Sequence, residues 1–111
     1  MEIKKITYPL PGEHYNKSLF NIDDNQVDVQ FGTVFLQKGT RIPEKGFTKH
    51  QSHEISIIYE GKIEMLNEDG SVKGYLTSGD VVYIQKLEAQ AGNVMEDTSL
   101  IYTLINHTHG K

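Results

Sequence analysis

His50 and Glu54 are the residues whose types and spacing can do chemistry. Side chains alternate across an extended strand with a period of two, so Thr48, His50, Ser52 and Glu54 share one face. If that face lines the interior of a small barrel, an imidazole and a carboxylate converge on one point. A divalent ion can be held there by nitrogen and oxygen. Alternatively the carboxylate, buried and in need of a partner, takes the imidazole as its hydrogen-bond donor. His53 has the opposite parity and faces away on a regular strand, unless a bulge near Ser52 turns it inward as another nitrogen ligand. Arg41 is the single arginine and lies in the turn at 39–43, just before this stretch. A guanidinium suits bidentate carboxylate binding, so Arg41 is either a clamp for an anionic ligand or a solvated loop residue.

The elements that must position these groups are strands. Apolar residues at helical spacing are hard to find over any long window, while alternation is frequent. In Val27–Leu36, Val27, Val29, Phe31, Thr33 and Phe35 fall on one face and Asp28, Gln30, Gly32, Val34 and Leu36 on the other. The stretch 54–66 alternates around Gly61, with Ile55, Ile57 and Tyr59 together and a bend expected at the glycine. Asn67-Glu68-Asp69-Gly70-Ser71 reads as a hairpin loop with Asp-Gly at its heart. Gly79-Asp80 opens the apolar strand Val81–Ile84, Ala91-Gly92-Asn93 is expected to interrupt a later strand, and the last strand spans 100–105. Short strands with glycine turns between them predict an all-β sandwich or barrel with little or no helix.

Composition narrows the function classes. With no cysteine, thiol nucleophiles, thiolate metal sites and disulfides are excluded. The net charge is −4 and basic residues form no run, which argues against nucleic acid as a partner. No apolar run is long enough to span a membrane, and the first residues lack a signal-peptide pattern. A cytoplasmic protein is expected. A chain of this mass folds to roughly 6,000 Å² of surface against roughly 18,000 Å² extended, enough for one core. The expected organisation is an N-terminal edge or arm segment over 1–26, a barrel over 27–105 and a polar tail over 106–111, which contains the pair His107 and His109.

The segment from Gly46 to Gly61 resembles the first motif of the cupin superfamily: His-x-His, three or four residues, Glu, six residues, Gly. Glu54 and Gly61 match, His50 stands for the second histidine, and Thr48 stands where the first is usual. Gly79-Asp80 and the four residues after it resemble the start of the second motif. Gln85, Leu87 and Gln90 then stand where Pro, Gly and His are usual, and Asn93 lies close to the terminal Asn. The resemblance covers 27–105 and implies a double-stranded β-helix, or jelly-roll, barrel. It also implies a pocket lined by Thr48, His50, Glu54 and Gln90, with Arg41 near the mouth.

Cupin metal sites usually use three histidines and one glutamate. Here the implied ligands are His50, Glu54 and Gln90, with His53 joining if the bulge exists. Such an oxygen-rich set would hold zinc, manganese or nickel rather than iron, and an absence of metal is a comparable expectation. Three functions follow from the resemblance. One is a metal-assisted isomerase or lyase acting on a sugar or carboxylate. The second is a metal-free isomerase or epimerase with His50 as base and Tyr83 or Tyr102 as proton donor. The third is a non-catalytic ligand-binding or sensory barrel, since the run from Gly79 to Gly92 is similar to the ethanolamine-utilisation cupin. All three expect a small polar organic ligand. Small cupins also imply a homodimer, formed by pairing edge strands or exchanging the N-terminal segment.

Overall fold

Seven strands follow one another in the computed structural model, which describes residues 1–107. They are β1 (Asn16–Asp24), β2 (Val27–Leu36), β3 (Arg41–Ile42), β4 (His53–Leu66), β5 (Val72–Thr77), β6 (Val81–Ile84) and β7 (Gly92–His107). Among the described residues there is no helix, and so none long and apolar enough to cross a membrane. His109 lies outside the described residues.

All strand pairs are antiparallel, and two long strands organise them. The first part of β4 pairs with β6 and with the second part of β7, placing Ser56 opposite both Val82 and Tyr102. Its second part pairs with β5 and with the first part of β7, placing Ile63 opposite Leu76 and Val94. β2 joins the second part of β7 and carries β1 on its far edge, while β3 pairs Arg41 and Ile42 with Asn93 and Gly92. β4 and β7 therefore bend through both walls of a jelly-roll barrel, the fold class read from the strand pattern.

The bend falls at Gly61. The β4–β7 register shifts on both sides of it, between Ile58 and Ile63. Gly61 has φ +120°, a conformation open to glycine but strained for side-chain-bearing residues. Thr98 of β7, fully buried, lies against it. The Thr98 hydroxyl accepts from Lys62 N at 3.1 Å and donates to Glu96 O at 2.8 Å, which satisfies the backbone where the ladder breaks.

The buried cluster comprises Val34, Leu36, Ile58, Ile63, Val94, Leu100 and Tyr102, with Ile42, Met65, Leu76 and Leu104 packed against it. These residues come from both walls. Full burial of a side chain such as Ile58 is worth about 1.5–3 kcal/mol, so closure of the barrel is driven mainly by this inner surface. The outer face is covered in part by residues 1–15. Thr33, fully buried, donates to Thr7 O at 2.6 Å, Lys4 Nζ reaches Leu19 O, and the Tyr8 ring stacks on Tyr59 at 6.1 Å.

Two sequence-based boundaries move. Asn106 and His107 belong to β7, because β2 begins at Val27 and offers them partners in Asp28 and Val27. Ala91-Gly92-Asn93 does not interrupt a strand, since β7 starts at Gly92. A Cβ on Gly92 would lie 2.8 Å from Ile63 Cγ2 and 3.1 Å from Met65 Sδ. The glycine therefore serves close approach of β4 rather than a break. The hairpin at 67–71 forms as expected. Asp69 Oδ1 accepts from Ser71 N and Oγ at 2.9 and 2.6 Å, and these bonds hold its carboxyl below the usual carboxylate range.

Candidate functional site: the barrel interior

Between the two walls lies a cavity of about 540 Å³. That is within the few-hundred to thousand Å³ usual for organic ligands. Thr48, His50, Glu54, Gln90 and Arg41, the five binding residues expected from sequence, all line it, as does Tyr102. Tyr83 and His53 do not. Both face outward, with Tyr83 Oη 2.8 Å from His53 Nδ1 and the rings stacked at 5.8 Å. No register shift lies near Ser52; His53 pairs regularly with Ile105, so nothing turns its ring inward.

The route by which His50 reaches the cavity differs from the expected one. β4 begins only at His53, and residues 47–52 are not an extended strand. Thr48 forms an isolated bridge with Gln90, exchanging two backbone bonds of 2.9 Å, and Leu87 N donates to His50 O at 2.7 Å. The loops at 43–50 and 85–90 thus hold each other at the rim. His50 is exposed there, while Glu54 sits further in on β4. Parity places Glu54 correctly because it is on a strand; it does not govern His50, and Ser52 is absent from the lining.

Arg41 is tied to its own loop. Its Nη1 donates to Pro43 O at 2.7 Å and to Gly46 O at 3.0 Å, and the guanidinium lies 5.6 Å from the Phe47 ring centre. These contacts shape the rim on either side of the cis Ile42–Pro43 peptide.

Deeper polar groups are paired with one another. Ser56 Oγ, buried, donates to Glu54 Oε2 at 2.7 Å, and Tyr102 Oη, also buried, donates to Asn16 Oδ1 at 2.7 Å. Burial raises the Tyr102 pKa above that of a free tyrosine; the Asn16 bond opposes this, and Tyr15 and Glu54 add to it. The phenol therefore stays protonated, with its proton directed at Asn16. Ser56 carried a readable signal, the parity of Glu54. Asn16 carried none, because it lies 86 residues from Tyr102 in an irregular N-terminal stretch.

The donor set does not fit the metal that the resemblance implies. Among the described residues no three His, Cys, Asp or Glu side chains gather where they can hold an ion. Glu54 already accepts a hydrogen bond from Ser56, His50 is on a rim loop, and Gln90 offers only an amide.

The barrel, its two bent strands and its interior cavity have the fold of the cupin superfamily. A cupin-2 domain protein from Shewanella frigidimarina superposes with a TM-score of 0.63 at 17% identity, over 83% of this chain and 81% of that one. An RmlC-like cupin with a double-stranded β-helix fold from Methanocaldococcus jannaschii gives 0.60 at 16% identity, over 98% and 94%. The EutQ protein of Clostridium difficile gives 0.58 at 20% identity, over 81% of this chain and 65% of that one. No protein-family model matches the sequence, and no curated protein matches it.

Proposed function

We propose that this barrel binds a small organic molecule in its cavity by hydrogen bonds and apolar contact, without a resident metal. The observation that carries this reading is the pairing inside the cavity. Glu54 with Ser56, and Tyr102 with Asn16, form two satisfied polar pairs facing about 540 Å³ of otherwise mainly apolar wall. Such an arrangement orients a ligand. Metal-assisted conversion of a sugar or carboxylate is less well supported, because His50, Glu54 and Gln90 supply too few ionic donors.

The test uses protein purified without a metal-affinity tag. A compound present at 100 times its Kd stabilises a fold by about 2.7 kcal/mol, a melting shift of roughly 10 °C for a chain of this size. Screening should find such shifts, unchanged by EDTA and lost in Val82→Phe, whose ring would fill the wall beside Ser56. One zinc or manganese per chain that Glu54→Gln removes, or shifts abolished by EDTA, would overturn the reading.

A second copy of the chain is the proposed partner, on the outer face. Ile55, Ile57, Tyr59, Val81 and Tyr83 are between 43% and 67% exposed. They are contiguous, with Ile55 opposite Tyr83 and Ile57 opposite Val81. Exposed apolar patches of several hundred Å² mark interaction surfaces. Light scattering at micromolar concentration should show a dimer that Ile57→Asp converts to monomer; a monomeric wild type would remove the idea.

A further inference from the structure

The strand walls of the cavity turn hydrogen-bond acceptors toward a ligand. A serine or tyrosine hydroxyl has one proton to give. That of Ser56, 1% exposed, goes to Glu54, and that of Tyr102, 3% exposed, goes to Asn16. What remains on each oxygen is a lone pair, and an ionised Glu54 only accepts. Two of them adjoin, and the Tyr102 ring runs away from both, over Gly32 of β2, to place its hydroxyl on Asn16 of β1. Glu54 and Ser56 point the same way on β4, and Ser56 is directly opposite Tyr102 on β7. The amide of Asn16 adjoins Tyr102 Oη and Tyr15 precedes it in the lining; the other donor-bearing side chains are on other elements. Arg41 is on short β3, while His50, Thr48 and Gln90 are on the rim loops; Asn16 lies at the start of β1.

A carboxylate or phosphate placed against Glu54 and Ser56 would meet lone pairs and a like charge in a partly desolvated site, where repulsion is least screened. A hydroxyl or ammonium would give each oxygen the proton it lacks. Past the bend the lining changes character. Ile42, Ile63, Met65 and Leu76, on β3 to β5, offer only apolar contact. A sugar, polar on every side, would strand hydroxyls there without partners.

We infer that the ligand is an amphiphile, with a hydrocarbon body against Ile58, Ile63, Met65 and Leu76 and a hydrogen-bond-donating head, above all an ammonium, on Glu54 and Ser56. This rests on the reading of the cavity as the binding site. It departs from the small polar ligand expected from sequence and turns the sign of the expected charge, since an anionic substrate clamped by Arg41 has no place on this wall.

The test compares hexylammonium, 1-hexanol, hexanoate and a set of monosaccharides by calorimetric titration at neutral pH, on wild type, Glu54→Gln and Val82→Phe. Circular dichroism verifies that each variant is folded. Hexylammonium should bind at least tenfold tighter than hexanoate, with hexanol between them and the sugars weakest. Glu54→Gln should bring the amine and the acid within about threefold of each other while hexanol changes little. Hexanoate binding as tightly as the amine, or a sugar binding tighter than any hexyl compound, with Val82→Phe abolishing it, would overturn the donor-headed amphiphile and leave the cavity as the site. No binding by any compound, or equal binding by Val82→Phe, would overturn the cavity reading and the inference with it.

Discussion

Gly61→Ala should lower the unfolding free energy by about 2–6 kcal/mol, the sum of a strained backbone at about 1–3 kcal/mol and overpacking at about 1–3 kcal/mol. That is a large fraction of the 5–15 kcal/mol available to a typical domain. Two costs coincide at this position. Its φ of +120° is rarely adopted by side-chain-bearing residues, and a Cβ there would be driven into Thr98 and lie 2.7 Å from Asp97 O. Neither obstacle is the end of a flexible chain that can swing aside. Gly70 supplies the control. It too has positive φ, +90°, but nothing lies within 4 Å of its Cβ position. Gly70→Ala should therefore show the backbone cost alone, about 1–3 kcal/mol. Urea denaturation with a shared slope separates the two. Equal losses at both glycines would mean that the contact with β7 does not set the bend.

The bend was legible because it is local. A glycine in an alternating strand signals a kink or a close approach wherever it occurs, and 54–66 alternates on both sides of Gly61. Val27–Leu36 and Val81–Ile84 were legible to the residue for a similar reason: each has a clear period and a turn at its boundary. The loop at 47–52 was not. Its residues alternate as a strand would, but their backbone is claimed by Gln90 and Leu87, some 40 residues away, and long-range pairing leaves no local trace. Alternation shows that side chains can share a face; whether the segment joins a ladder depends on which partner arrives.

The same distinction divides the site. The line of Glu54 and Ser56 follows from strand parity, and the cupin resemblance brought Thr48, Gln90 and Arg41 to the same cavity. The resemblance also carried a metal with it, and there it outran the chain. Thr48 and Gln90 stand at the places of two ligands, yet they are joined through their backbones and leave His50 at the rim. The outer pair His53 and Tyr83 shows the limit from the other side. Both are residues of catalytic type 2.8 Å apart, and both belong to the face turned away from the cavity. Residue type nominates a group, and only the wall it stands on decides what it can reach.

Gly32→Ala should disable the site from outside it, with a loss of about 2–4 kcal/mol in stability and at least tenfold in affinity for the cavity ligand. Gly32 of β2 is the direct partner of Tyr102 on β7. A Cβ at Gly32 would lie 2.6 Å from Tyr102 Oη and 2.8 Å from its ring, and would also meet Lys17 O of β1. The ring must move, and with it goes the bond from Tyr102 to Asn16 that fixes which way the hydroxyl points. A double-mutant cycle isolates this step. Tyr102→Leu keeps apolar bulk and removes the ring, so Gly32→Ala in that background should cost at least 1 kcal/mol less than in wild type, a coupling typical of residues in contact. The rescue should be incomplete, because Lys17 O is backbone and remains. If the two losses simply add, the glycine is not there to seat the ring. The direction of the Tyr102 hydroxyl would then owe its geometry to the inner side alone.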